Sequence, residues 1–455
     1  MKKFLLIILI LCAVAAIRCK RKETLVTPNE PSIKVTKVSG EQSGTWSGRI
    51  EIIDDVVVPN GQTLTIKAGT SVISDGYFEI GVYGTLNANG RENARISFTV
   101  ADTTGYSNFD DASAGAWKGF SFAKSESVNM SYCDFSYGKT ELNSDGGMMR
   151  VNFVRDFELS HCRFHHNTTR RKGGAIYAEN STMNIHDCEV YDNFAIGFEG
   201  TYNWGVGFQF LKCNLVMHDM VFHDNYSEYA YGGGMNIDSC NLELTNSVFY
   251  NNFAVDAGGL GLQRSKGYNV KVSNMLAYNN AVIHYGGALA TATTDAELNN
   301  LTLVNNICGG GGGAAMQMAF NASPTLNNCI IWGNHALHIT NKDTRDTTYY
   351  YMGSQIWLWG DDCSPIFNNG VVQYGLDSIN GYHHILEGNY NDMLEINPLF
   401  VNEEAHNYQL LENSPCINSG LADITGLFLP DIDLAGRPRV YGGRIDMGCY
   451  EWQGK

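Results

Sequence analysis

The sequence predicts an all-β fold, a single-stranded right-handed parallel β-helix, on three observations. First, seven segments share one register, apolar-x-apolar-x-x-small-x-apolar-x-x-Asn. They are Phe157 to Asn167, Met183 to Asn193, Leu215 to Asn225, Leu242 to Asn252, Val270 to Asn280, Ala296 to Asn306 and Pro324 to Asn334. Second, the closing asparagines lie 26, 32, 27, 28, 26 and 28 residues apart, and self-similarity at such a period marks units that stack on one another. Third, apolar residues alternate within each segment, so the units are strands rather than helices. Parallel β connections are right-handed in nearly all cases, which sets the hand. Rungs stack about 4.8 Å apart, so seven of them rise roughly 34 Å.

Each position of the repeat has a physical reason. Position 3 (Leu159, Ile185, Met217, Leu244, Val272, Leu298, Leu326) and position 8 (Phe164, Val190, Phe222, Phe249, Ala277, Leu303, Ile331) are apolar throughout and should face the core. Position 6 (Cys162, Cys188, Met220, Ser247, Met275, Leu301, Cys329) suits an interior as well. Position 5 (His161, Asp187, Asp219, Asn246, Asn274, Asn300, Asn328) is short and polar, as a bend between two strands requires. The closing Asn should point inward, where stacked amides give each rung one donor and one acceptor. Glycine pairs follow at Gly173-Gly174, Gly232-Gly233, Gly258-Gly259 and Gly286-Gly287, and a glycine run at Gly309 to Gly313, where turns demand unusual backbone angles.

The chain opens with Met1-Lys2-Lys3 and an apolar stretch from Phe4 to Ile17. That is an export signal over residues 1–18, too short for an ordinary membrane span. Cys19, followed by Lys20-Arg21-Lys22, resembles the lipidated cysteine of a bacterial lipoprotein, with Arg18 where such sites carry a small residue. Residues 19–45 read as a tether, residues 46–395 as the β-helix and residues 396–455 as a closing module. Within the helix, Leu64 to Thr70, Gly84 to Gly90 and Trp117 to Phe122 resemble the opening coils of bacterial surface β-helix proteins. The repeats, with Phe-x-x-Asn at Phe164, Phe222 and Phe249 and Gly-Gly-Ala at Gly173 and Gly286, are similar to those of polymorphic outer membrane proteins. At the end, Asn397 to Phe400, Tyr408 to Leu410, Ser414 to Gly420, Asp433 to Arg439 and Gly443 to Glu451 resemble the choice-of-anchor Q module that closes many bacterial right-handed β-helix surface proteins. The resemblance implies a C-terminal capping module that covers the open edge of the solenoid.

Formal net charge is −16, and loss of Lys2, Lys3 and Arg18 with the signal takes it to −19. So acidic a surface argues against nucleic acid or an anionic membrane as the main partner. The membrane is expected as a partner only through a lipid on Cys19. A monomer is expected, on the outer membrane or cell surface as a lipoprotein, or else secreted. A chain of 455 residues needs no disulfide scaffold, and Cys133, Cys162, Cys188 and Cys329 suit free buried thiols. Two pairings remain as guesses: Cys213 with Cys240, which should sit side by side in adjacent rungs, and Cys416 with Cys449.

β-helices host pectin lyases and polygalacturonases, so the resemblance admits an enzyme. Asp361-Asp362 is a lone echo of a polygalacturonase site, without the companion motifs of that family. Asp54-Asp55 and Asp110-Asp111 fit solvated turns, and Asp433, Arg437, Arg439, Arg444 and Asp446 fit a structural ion-pair network in the closing module. The twelve histidines show no metal-ligand spacing, and His165 and His166, being adjacent, should splay apart. No catalytic residue and no metal ligand is assigned. No cofactor is expected, and calcium, structural or bridging a substrate, is the one ion left open. Position 9 does stand out. It should face outward and reads His165, Tyr191, His223, Tyr250, Tyr278, Val304 and Trp332. With Tyr202 and Trp204 from the longest rung as a wall, Tyr191, His223, Tyr250, Tyr278 and Trp332 form a candidate ligand-binding face. Stacked rings that only stabilise the sheet are the competing reading. The sequence thus predicts an exported, non-catalytic surface protein that binds polysaccharide or another surface partner. The alternatives are a polysaccharide lyase or glycoside hydrolase, and a purely structural protein.

Overall fold

The computed structural model describes residues 35–141, 143–197, 203–337, 354–360, 362–381 and 388–454. The export signal, Cys19, most of the tether, Tyr202 and Asp361 lie outside the described residues. Thirty-five strands join in one continuous array, and neighbouring rungs pair in parallel along it, from Val35 onward to Asn391. The helix therefore starts earlier than the expected boundary at residue 46: Val35–Glu41 is already a strand, paired with Arg49–Val58.

Each rung contributes to three faces. Face A holds positions 1–4 of the repeat, as in Phe157–Ser160 and Thr182–His186. Face B holds positions 7–9, as in Arg163–His165 and Glu189–Tyr191. Face C follows the glycines, as in Ile176–Glu179 and Phe208–Leu211. The predicted register is the observed one: Phe157 pairs with Met183, then Leu215, Leu242 and Val270 in turn. Positions 3, 6 and 8 are buried, and rings stack inside, Phe135 on Phe164 at 4.7 Å and Phe222 on Phe249 at 4.7 Å. The bends at position 5 take positive φ, from His161 at 53° to Asn328 at 57°, and so do those at position 10, from His166 at 55° to Asn305 at 55°. Asn and Asp tolerate this left-handed region better than other side chains, which explains both columns. Gly258 answers a different need: a Cβ there would lie 2.3 Å from the carbonyl oxygen of Gly287 in the next rung.

The closing asparagines form an inward ladder. Nδ2 of Asn167 donates to Oδ1 of Asn193 at 2.9 Å, and the same bond recurs from Asn193 to Asn225 (2.9 Å), Asn225 to Asn252 (2.8 Å) and Asn252 to Asn280 (2.9 Å). It continues through Asn306 to Asn334, which donates to Oε1 of Gln355 at 2.9 Å. Each Oδ1 also accepts the backbone N–H of the preceding asparagine.

Two expectations change. All ten described cysteines are free and buried, so Cys213 does not bond to Cys240, nor Cys416 to Cys449. Side chains in stacked rungs run parallel, one rung apart: Sγ of Cys213 turns to the carbonyl of Leu211 at 3.3 Å and that of Cys240 to Asp238 at 3.3 Å. The C-terminal residues do not lie across the open edge. They pack on the flank of the solenoid, where Phe400, Tyr408, Leu410, Cys416, Met447 and Cys449 share a core with Leu276, Val304, Ile330 and Val371 of face B. Polar contacts follow the position-5 corner: Nδ2 of Asn300 donates to the carbonyl of Asp446 at 2.9 Å, and the N–H of Leu421 to Oδ1 of Asn328 at 2.7 Å. The apolar side chains of positions 7 and 9 on the later rungs are what the module covers there.

Candidate functional site

The position-9 stripe exists, and its rings stack on one another. Centroids lie 5.0 Å apart from His165 to Tyr191, 5.0 Å from Tyr191 to His223, 4.7 Å from His223 to Tyr250 and 5.0 Å from Tyr250 to Tyr278, all within 17° of parallel. The ring faces are thus turned to each other, and a ligand on this side meets ring edges, phenol hydroxyls and imidazole nitrogens. At its C-terminal end the stripe is covered: Tyr278 meets His406 at 5.0 Å and Tyr408 at 5.5 Å, and Trp332 packs against the same module. Trp204 does not wall this stripe. It stacks on Tyr231 at 4.8 Å beneath the Arg264 guanidinium, beside face C.

His223 is the stripe's charged member. Its Nδ1 lies 2.8 Å from Asp224 and its Nε2 3.3 Å from Glu189. Burial opposes protonation, but the hydrogen bonds to Asp224 and Glu189 and their charges together outweigh it and push the imidazole up to about 9. His165 goes the other way, down to about 4, through burial and the neighbouring His166. The two do not splay: their Nδ1 atoms are 2.9 Å apart, because the left-handed backbone of His166 turns its ring back. A group whose folded pKa is raised stabilises the fold below its unfolded pKa, and that contribution fades as pH climbs through the folded value. The stabilisation from His223 is therefore expected to be full below about pH 6.5 and lost as pH passes about 9. Denaturant melts of wild type and His223→Gln should show this slope in the first and a flatter one in the second.

Face A carries a groove of about 510 Å³ that spans the rungs from Phe157 to Asn269. Asn184, Asn214, Asn241 and Asn269 supply amides rung after rung, and Arg155, Glu158 and Glu243 also line the groove. Some of these amides bond to each other, Nδ2 of Asn241 donating to Oδ1 of Asn214 at 2.7 Å. Along the groove's edge, positions 4 and 5 place two imidazole–carboxylate dyads on consecutive rungs. Nδ1 of His186 is 2.7 Å from Asp187, and Nδ1 of His218 is 2.7 Å from Asp219. Their imidazole rings stack at 4.6 Å. The sequence hid this pair because its members stand 32 residues apart, and only the stacking of the longest rung on its neighbour brings them together. One ligand atom from each of His186, Asp187 and His218 lies within 4.8 Å of the others.

Face C carries a smaller pocket of about 200 Å³ near its N-terminal end, with Glu79, Asp145, Lys118, Arg150 and Tyr77 among its lining. Burial raises both Glu79 and Asp145, with Arg150 and Arg171 the main opposing charge for each. Arg150 stands 3.6 Å from Glu79. None of these residues stands out in the sequence, where they are scattered over three rungs without a motif. Asp54 and Asp55 lie within the strand Arg49–Val58 rather than in a turn, and both are exposed.

Residues 96–274 match the family model described as a right handed beta helix region. This chain is a right-handed parallel β-helix. Among solved structures, the β-helix is similar to the crystal structure of pectate lyase Pel9A, at 12% identity over 85% of this chain and 88% of that one, with a TM-score of 0.32. No curated protein matches the chain.

Proposed function

We propose that this β-helix is an exported surface protein that binds polysaccharide along face A without altering it. The observation that carries the reading is the groove across the rungs from Phe157 to Asn269, with an amide at successive rungs. Amides both donate and accept, as sugar hydroxyls do, and their recurrence along the axis suits an extended polymer rather than a compact ligand. The stripe on face B contributes ring edges and hydroxyls beside it. Retardation on polysaccharide affinity gels tests the proposal. Wild type should be retarded, Asn214→Ala/Asn241→Ala should lose about tenfold or more in affinity, at roughly 1 kcal/mol per lost hydrogen bond, and Tyr250→Ala/Tyr278→Ala should lose less. Retardation that survives the amide substitutions unchanged would reject this groove.

A second reading has its own observation. The pocket on face C sets two carboxylates whose protonated form burial favours beside Arg150 and Lys118, the kind of grouping that general acid–base chemistry uses. Product release from uronic-acid or neutral polysaccharides, abolished by Glu79→Gln, would decide for a lyase or hydrolase and against simple binding.

A further inference from the structure

We infer that His186, His218 and Asp187 form a site for one divalent transition-metal ion on the outer edge of face A. Three observations carry this. One ligand atom from each of the three residues already lies within 4.8 Å of the other two. Zinc bonds to nitrogen and oxygen are about 2.0–2.2 Å long, so the three donors must close by about an ångström or slightly more. All three side chains are at least 20% exposed, with room to turn, since His186 keeps 20%, Asp187 37% and His218 40% of its side-chain surface.

The second observation is charge. Glu158, Asp187 and Asp219 converge on these rings, and among the described residues their ion-pair partners are histidines alone: His186 for Glu158, His161 and His186 for Asp187, His218 for Asp219. With neutral imidazoles the cluster holds three negative charges, and among the described residues no lysine or arginine forms an ion pair with them. The third observation is how the rings are held. Asp219 sits 2.7 Å from Nδ1 of His218, a hydrogen bond, while Glu158 is a charge neighbour of His186 at 3.8 Å from Nε2, beyond hydrogen-bond reach. A carboxylate that accepts from one ring nitrogen orients the imidazole and raises the basicity of the other nitrogen.

The donor set selects the ion. Two imidazoles and one carboxylate suit zinc, nickel or copper, while calcium and magnesium take oxygen donors. Three protein ligands leave a further coordination position open to water or to a group on a bound polymer.

Titration calorimetry on tag-free protein, with zinc chloride and calcium chloride as the probes, tests the site. Zinc should bind with one equivalent and calcium should not compete for it. His186→Ala and His218→Ala should each weaken zinc by tenfold or more, and Asp219→Ala by about 10–100-fold as an orienting residue. His284→Ala, on the far side beside Asp256, should bind zinc as wild type does. Circular dichroism of each variant checks that the β-helix is intact. No zinc uptake by folded wild type, or uptake that folded His218→Ala retains in full, would overturn the site.

Discussion

Replacing Asn252 by leucine is expected to cost the β-helix about 2–6 kcal/mol. Leucine shares the branched skeleton of asparagine and is bulkier, so none of the loss comes from a cavity. The amide of Asn252 donates to the carbonyl of Phe222 at 3.0 Å and to Oδ1 of Asn280 at 2.9 Å. Its own oxygen accepts the N–H of Asn225 at 3.3 Å and Nδ2 of Asn225 at 2.8 Å. Asn225 Nδ2 keeps the carbonyl of Val190 as an acceptor, and Asn280 Oδ1 keeps the N–H of residue 252 as a donor. Two groups are left stranded in a region with no exposure: the backbone N–H of Asn225 and the carbonyl lone pair of Phe222. Each stranded group costs roughly 1–3 kcal/mol. Because every rung rests on the next, the damage should spread to the neighbours' amides and not stay within one coil. Denaturation of wild type and variant at one pH measures it. A midpoint unmoved by the substitution would mean that the amides in the ladder contribute no net stability.

The register was legible because a β-helix writes its geometry into the sequence at a fixed period. Each inward position keeps its own column, so the pairing of Phe157 with Met183 and Leu215 follows from alignment of the repeat alone. The bends at position 5 were legible too, since Asp and Asn tolerate positive φ. What the repeat could not say is which outward faces are covered, because covering depends on a segment distant in sequence. Yet a signal was present. Position 7 reads Arg163, Glu189, Val221, Val248, Leu276, Thr302 and Ile330, charged on the first two rungs and uncharged, mostly apolar, on the later ones. Position 5 changes in the same sense, from His161, Asp187 and Asp219 to four asparagines. Burial makes charge costly and leaves a hydrogen-bonded amide cheap, so both columns change where the C-terminal module lies down. The histidine dyads were invisible for a different reason. Metal-ligand spacing in a helix or a loop is short, whereas here the spacing is one whole rung.

Arg439→Met is expected to release the C-terminal module while leaving the solenoid folded. Arg439 and Glu451 are both buried, with Nη2 of Arg439 2.7 Å from Glu451. Nη1 of Arg439 also donates to Oδ1 of Asn274 at 3.1 Å, so the same side chain ties the module to the position-5 corner. Removing one partner of a buried pair leaves the other charge uncompensated, at a cost of about 3–5 kcal/mol. That cost falls on a module held to the flank by one apolar patch and a few amide contacts, so local release precedes unfolding of the rungs. Limited proteolysis should then cut within residues 396–454 while the repeats resist, and Tyr278 should gain exposure. The pH dependence has a fixed sign. Burial raises Glu451, and Arg439 is the main charge that opposes it; without the arginine its folded pKa rises further above the unfolded value. Such a group destabilises the fold as pH rises through the folded pKa, so mild acid should partly rescue the variant. Replacing both partners, Arg439→Met with Glu451→Leu, should restore docking only in part: it removes the uncompensated charge but strands the N–H groups of Tyr441 and Asp446, which Glu451 accepts at 2.8 and 3.1 Å. A single variant that resists protease at neutral pH as well as wild type would show that the apolar patch alone holds the module in place.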